Sequence, residues 1–238
     1  MSGVVTHGFF VTGTDTGVGK TLVACALLHA LAGRGLRAAG MKPVAAGAVL
    51  ERGLLVNDDV DALIAASNVD APRVLVNPYC FAPAIAPHIA AAEADTAIDL
   101  ALVEDAYRKL AVLADCVIVE GAGGFRVPLG PLCDMRELAR RLGAPVVLVV
   151  GVRLGCLNHA LLTAESVDSA GLTLAGWVAN VIESEMPRRR ENILALRERL
   201  PAPLLGTIEY CSTPDARRVA RQLDLGSLPL PAARSSER

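Results

Sequence analysis

Short runs rich in valine, isoleucine and leucine recur along the chain at His7 to Val11, Ala38 to Pro43, Cys116 to Glu120, Val146 to Val150, Leu174 to Asn180 and Leu204 to Ile208. Each has strand length and is apolar throughout rather than at alternate positions, which is the pattern of a strand covered on both faces. Between these runs, apolar residues recur at helical spacing, as in Leu22, Val23, Ala26, Leu27, Ala30 and Leu31, and again in Leu102, Val103, Ala106, Leu110 and Leu113. Buried strands alternating with helices predict an α/β fold built on a doubly wound, mainly parallel sheet with helices on both faces. No linker or repeat breaks the alternation, so one domain over residues 1–238 is expected. The least regular stretch, Ala71 to Ala94, carries Pro72, Pro78, Pro83 and Pro87 and reads as a long loop crossing the carboxyl edge of the sheet. Leu228 to Arg238 has no period and reads as a frayed tail.

Composition narrows the class. The 238 residues are 53% hydrophobic but only 3% aromatic, so the core must be aliphatic. A mean hydropathy of +0.43 raises the question of a membrane. The longest apolar run, Leu142 to Val152, is interrupted by Gly143, Pro145 and Gly151, and it is far short of the roughly 20 residues a spanning helix needs. Met1 to Val11 has no basic segment leading into an apolar one, so a cytoplasmic protein with no membrane partner is expected. Lysine plus arginine number 23 against 25 acidic residues, a net charge of -2. That balance disfavours a general polyanion binder, and the few aromatics disfavour base stacking, so no nucleic-acid partner is expected. Cys25, Cys80, Cys116, Cys133, Cys156 and Cys211 form no C-x-x-C pair. They read as reduced, mostly buried thiols rather than a metal site or disulfide frame.

The strongest local signal is Gly13-Thr14-Asp15-Thr16-Gly17-Val18-Gly19-Lys20-Thr21, between the first predicted strand and the first predicted helix. A phosphate group needs several backbone N–H donors at once, which a glycine-rich turn and a helix N-terminus supply. Lys20 would reach the β and γ phosphates and the Thr21 hydroxyl would ligate Mg²⁺. The strict G-x-x-x-x-G-K-[ST] spacing is not met, because five residues separate Gly13 from Gly19. The loop is therefore a variant P-loop; the alternative is a glycine-rich turn with a chance lysine. Partition and nitrogenase iron-protein ATPases carry a lysine early in this loop, where this chain has Asp15. Charge at the γ-phosphate must then come from elsewhere.

Lys42 is the candidate, in Gly40-Met41-Lys42-Pro43-Val44 at the carboxyl end of a strand, the edge where doubly wound sheets bind ligands. A solvated surface lysine is the alternative. Glu120 ends the strand Val117-Ile118-Val119-Glu120 before Gly121-Ala122-Gly123-Gly124, as a Walker-B acid does. A buried strand has little reason to end in an unpaired carboxylate. Asp59, at a helix start in Asn57-Asp58-Asp59-Val60-Asp61, suits either a capping residue or a third Mg²⁺ ligand.

Taken together these residues resemble the dethiobiotin synthetases, ATP-dependent enzymes that close a ureido ring. The resemblance runs through Phe10 to Thr21, Lys42-Pro43-Val44, Asp59, Asn77-Pro78-Tyr79, Pro87-His88, Val119 to Gly124, Gly151 to Asn158, Gly171-Leu172, Gly176 to Asn180 and Pro201 to Gly206. It implies a P-loop NTPase fold with seven strands, a homodimer, Mg²⁺, and the substrates ATP, CO₂ and 7,8-diaminopelargonate. It places Gly13 to Thr21 around the nucleotide, with Thr16, Gly19 and Lys20 on the phosphates and Thr21, Asp59 and Glu120 on Mg²⁺. Lys42, Lys20 and Thr16 stand nearest the chemistry, Lys42 between a carbamate and the γ-phosphate. Asn180 resembles an adenine-reading asparagine. The substrate set is Lys42, Ala46, Gly123, Gly155, Cys156, Leu157 and Asn158, the last four as a helix N-terminus holding the substrate carboxylate across the dimer interface. From the residues alone Asn158 reads as a helix cap. Ala46 and Gly17 depart from the family, where a small hydroxyl residue and an acid are often found.

The chemistry implied is addition of a substrate amine to CO₂, attack of the carbamate oxygen on the γ-phosphorus, and ring closure by the second amine with loss of phosphate. No protein nucleophile is needed, and the sequence offers no Ser/His/Asp or Cys/His set; His7, His29, His88 and His159 read as structural, with only His88 near the expected site. Two rivals share the fold. A switch or partitioning ATPase would carry the early loop lysine and a basic surface, but Arg188-Arg189-Arg190 reads as a solvated helix start. A cobyrinate-type amidase would need a glutamine-hydrolysing domain, for which the chain is too short.

Overall fold

The computed structural model describes residues 7–231. The first half runs β1 (His7–Gly13), α1 (Lys20–Ala32), β2 (Ala38–Met41), β3 (Val44–Ala46), β4 (Val49–Glu51), β5 (Leu54–Val56), α2 (Asp58–Ala66), α3 (Arg73–Val76), β6 (Tyr79–Phe81), α4 (Pro87–Glu93) and α5 (Leu100–Leu113). The second runs β7 (Cys116–Gly124), α6 (Met135–Leu142), β8 (Val146–Val152), α7 (Cys156–Ser169), β9 (Leu174–Val181), α8 (Arg189–Arg199), β10 (Leu204–Ile208) and α9 (Ala216–Ala220).

All six apolar runs are strands of one sheet, ordered β10-β9-β8-β1-β7-β2, and every neighbouring pair is parallel. Among the described residues the sheet has six strands, where seven were expected. Pro43 follows β2 and has no N–H to donate, and the Lys42 N–H leaves the ladder for the Val76 carbonyl at 2.8 Å. The chain resumes as β3, which pairs with β6 in a separate two-stranded parallel sheet. β4 and β5 form a small antiparallel hairpin.

Strand residues alternate between two apolar cores. Phe9, Val11, Ile118, Val147 and Val149 face α1 and α9; Phe10, Val117, Val119, Leu148 and Trp177 face α5, α6 and α7. This is period-2 geometry with both faces covered. Helix α1 is buried from Val23 through Leu28, a continuous run rather than the single face read from its spacing, because α2 and α9 pack against it as well as the sheet.

Two further expectations change here. Residues 71–94 are not one long loop: Pro72 caps α3 and Pro87 is the first residue of α4, where a proline's missing N–H costs nothing and its fixed φ helps. Leu228 is buried against the α1 side of the sheet rather than frayed; the remainder of that tail from residue 232, and residues 1–6, lie outside the described residues. Of the cysteines, Cys25, Cys116 and Cys156 are buried, Cys80 and Cys133 half-buried, and Cys211 exposed. No described helix is long and apolar enough to cross a membrane.

Gly176 permits a close approach between neighbouring strands of the sheet. A Cβ there would lie 2.7 Å from two side-chain carbons of the buried Leu205. Gly176→Ala is expected to lower stability by about 1–3 kcal/mol through overpacking, read as a drop in the thermal midpoint, and an unchanged midpoint would show that Leu205 repacks freely.

Candidate active site

The sheet order reverses at β1, whose neighbours β7 and β8 lie on either side, and the glycine-rich loop leaves the carboxyl end of that strand. Ligands bind at such switch points in open α/β sheets. The loop is pinned from beneath. The Thr14 N–H donates to the Val149 carbonyl at 3.0 Å, and the Gly151 N–H donates to Thr14 Oγ1 at 3.2 Å. Val18 is buried, and a Cβ on either Gly13 or Gly151 would lie 2.6 Å from one of its methyl carbons. Gly17 and Gly19 take φ values of 75° and 87°, the left-handed region glycine tolerates. Gly19 is the N-cap of α1 and provides no side-chain cap, so first-turn N–H groups are left to serve a ligand.

Strand register brings the charged residues together. Met41 stands opposite Val119, so Lys42, the residue after β2, lies level with Glu120, which sits inside β7 rather than at its end because the strand continues to Gly124. Lys42 Nζ lies 2.6 Å from Glu120 Oε1 and 2.8 Å from Asp59 Oδ2. Thr21 Oγ1 is 2.7 Å from Asp59 Oδ1 and 2.9 Å from Glu120 Oε1. Glu120 is 1% exposed and Lys42 5%, which removes the surface-lysine alternative. Burial works against the Lys42 ammonium, but Glu120 and Asp59 outweigh it and hold its pKa above the ordinary value. Burial also pushes Glu120 upward, opposed by Lys42. Lys20 turns back to donate to the Asp15 carbonyl at 2.9 Å, and burial, with Lys42 nearby, lowers its pKa to about 8.

The oxygen set of Thr21, Asp59 and Glu120 suits a hard cation such as Mg²⁺. Glu120 Oε2 is buried with no hydrogen-bond partner among the described residues, and so fits the set as an oxygen able to ligate a cation. Among those residues no group of three His, Cys, Asp or Glu side chains gathers at metal spacing.

These residues border a cavity of about 670 Å³. Thr16, Gly17, Gly19, Lys20, Thr21, Lys42, Asp59, Glu120 and Gly123 form its polar side; Val44, Ala46, Ala84, Ile85, Ala86, Pro87, Ala122 and Val127 form an apolar wall. The rest of the expected set lies elsewhere. Asn180 is outside the cavity lining and donates from Nδ2 to the Val18 carbonyl at 2.9 Å. Gly155 to Asn158 open α7 away from the cavity, with the Cys156 side chain 1% exposed in the core. The cap of α2 is Asn57, which accepts from the Val60 N–H; Asp59 follows it inside the first turn and faces Lys42. Helix α7 starts from Gly155, so Asn158 is not its cap.

Two supporting contacts carry no sequence signal. Arg153 Nη2 pairs with Asp15 Oδ2 at 2.7 Å, fixing the residue that stands in place of the early loop lysine. Asn77 Nδ2 donates to the Lys42 carbonyl at 2.6 Å and fixes the backbone of that buried lysine. An asparagine before a proline at the edge of β6 marks a turn, but not this contact. Arg188 to Arg190 begin α8 and pair in part with Glu191 and Glu209.

A family model described as an AAA domain matches residues 7–217. An ATP-dependent dethiobiotin synthetase BioD of Aromatoleum aromaticum is 54% identical over 92% of this chain and 97% of its own length. A second, of Nitrosospira multiformis, is 54% identical over 93% of this chain and 96% of its own. Among solved structures, the MinC:MinD cell division protein complex of Aquifex aeolicus is similar in fold with a TM-score of 0.55 at 15% identity, over 87% of this chain and 82% of that one.

Proposed function

The chain belongs to the ATP-dependent dethiobiotin synthetase family, and from that premise we propose that it is an ATP- and Mg²⁺-dependent cyclo-ligase that makes dethiobiotin from 7,8-diaminopelargonate and CO₂. The observation that carries this reading is one cavity with two unlike sides: a P-loop lysine, a second buried lysine and two carboxylates face an apolar wall. The polar side suits phosphate and carbamate; the wall of Val44, Ile85 and Pro87 suits the aliphatic chain of the diamine.

On this reading the amides opening α1 hold the phosphates, with Lys20 and the Thr16 hydroxyl beside them. Thr21, Asp59 and Glu120 would hold Mg²⁺, which when bound supplies charge neutralisation on the phosphates. One substrate amine adds to CO₂ and loses a proton, giving a carbamate. Its oxygen attacks the γ-phosphorus and ADP leaves; the second amine attacks the carbonyl carbon of the resulting anhydride, loses its proton and expels phosphate. The difficulty is an anion meeting an anion, and Lys42 answers it from between the two. Asn180 braces the loop at Val18 and stands beside Gly19, where its carboxamide borders the base end of the nucleotide. Two copies pair through the surface around α7, where Leu154 is exposed, and Gly155 to Asn158 of one copy receive the substrate carboxylate of the other at a helix N-terminus.

Purified protein given Mg²⁺, ATP, bicarbonate and 7,8-diaminopelargonate is expected to release ADP and phosphate in step with a cyclic urea. ATP turnover that is the same with and without the diamine would sink the proposal.

A further inference from the structure

The proposed function asks two cations to stand in one place. Thr21, Asp59 and Glu120 are to hold Mg²⁺, yet Lys42 Nζ already sits between the two carboxylates, 2.8 Å from Asp59 Oδ2 and 2.6 Å from Glu120 Oε1. We propose that Lys42 is the internal counter-cation of the metal-free carboxylate pair, that Lys42 and Mg²⁺ occupy the pair in alternation, and that arrival of the metal releases the ammonium toward the substrate. This rests on the metal reading of those three residues.

Burial makes the alternation necessary. Glu120 is almost wholly out of water, and a buried carboxylate without a partner is strongly destabilising. An ionised Glu120 therefore needs some cation beside it whenever metal is absent. Lys20, the other buried amine in the cavity, is turned to the Asp15 carbonyl, which leaves the pair to Lys42. Geometry makes it exclusive. The ammonium contacts one oxygen of each carboxylate at hydrogen-bond distance, while Mg²⁺ binds oxygen at about 2.0–2.1 Å. A dication drawn to Glu120 Oε1 and Asp59 would share oxygens with an ammonium it repels. Glu120 Oε2, the one carboxylate oxygen of the set that is buried and unpartnered, is where the metal first gains a contact.

The hinge for the exchange is the Lys42 side chain alone. Its backbone is fixed on both sides, the N–H by the Val76 carbonyl and the carbonyl by Asn77. The four-carbon stem can rotate about that fixed point, and Lys42 borders the cavity that would receive it. Until metal arrives, the lysine that is to bridge carbamate and γ-phosphate is held away from both.

Two measurements test this on the full chain without nucleotide. In ¹⁵N NMR of the wild-type lysine side chains, a Lys42 Nζ resonance protected by its ion pairs is expected without metal and expected to shift or vanish on titration with Mg²⁺. A resonance that persists unchanged at saturating Mg²⁺ overturns the proposal. In Mn²⁺ titrations followed by electron paramagnetic resonance, Lys42→Met is expected to bind at least about tenfold more tightly than wild type, since a site blocked more than nine-tenths of the time loses that factor in apparent affinity. Equal or weaker binding overturns it. Asp59→Asn separates the two ideas: if it loses Mn²⁺ while Lys42→Met gains nothing, the metal reading stands and the alternation fails. If Asp59→Asn binds Mn²⁺ as wild type does, the metal reading fails and takes the alternation with it. Should Lys42→Met be unfolded without metal, recovery of its thermal transition on adding Mg²⁺ supports the proposal, and failure to recover overturns it.

Discussion

Lys42→Ala is expected to bind ATP as the wild type does and to lose turnover by about a thousandfold at saturating Mg²⁺. The magnitude follows from the charges the lysine separates. Two unit negative charges about 4 Å apart at an effective dielectric of about 20 repel by roughly 4 kcal/mol, close to three orders of magnitude in rate. Nucleotide binding is spared because the phosphates are assigned to Lys20 and the first turn of α1, neither of which touches Lys42. A second consequence separates this from a simple loss of fold. Without metal the substitution leaves Glu120 buried with no cation, a loss of about 3–5 kcal/mol of stability, and Mg²⁺ is expected to return much of it. The checks are kcat and nucleotide Kd at high Mg²⁺, with thermal midpoints in the presence and absence of the metal. Turnover within about tenfold of wild type, about 1.4 kcal/mol of barrier, would remove Lys42 from the chemistry.

How much of this was legible in the sequence differs between backbone and side chain. The six sheet strands were readable because a strand covered on both faces has no alternation to hide, and each of the six apolar runs is a strand. Lys42 was readable at a strand end on the ligand-binding edge and Glu120 as an acid closing an apolar run, although β7 continues past Glu120 to Gly124 and the contact of the two depends on register, which no local pattern encodes. The stretch 71–94 misled because proline discourages helix interiors but favours first turns, and Pro72 and Pro87 stand at helix starts. Asp59 was ambiguous among three acids and one asparagine at the start of α2. Asn57 took the cap, which left Asp59 to face Lys42 and Thr21. The Arg153–Asp15 pair joins positions 138 residues apart, and nothing local to either residue announces it. Asn180 stands one residue before the end of β9, close to where it was expected, yet its amide is bound to the loop backbone, a contact visible only once the β9 edge lies beneath the loop.

That contact sets the second large effect. Gly19→Ala is expected to weaken ATP binding by about a hundredfold, out of proportion to the single methyl group added. Gly19 holds φ at 87°, and a non-glycine residue in the left-handed region carries a penalty of about 1–2 kcal/mol. The new Cβ would also lie 2.3 Å from Asn180 Nδ2, and Asn180 has little room to yield, being 7% exposed and bonded to the Val18 carbonyl. Losing that hydrogen bond adds about 1 kcal/mol. The combined cost of about 3 kcal/mol corresponds to about a hundredfold in affinity if the loop must regain its shape to bind phosphate. The double substitution Gly19→Ala with Asn180→Ala separates the causes, because it removes the overlap and leaves the backbone strain. It is expected to recover part of the thermal midpoint lost by Gly19→Ala alone while ATP affinity stays well below wild type. If Gly19→Ala binds ATP as wild type does, the left-handed turn at Gly19 is not what aims the first amides of α1 at a phosphate.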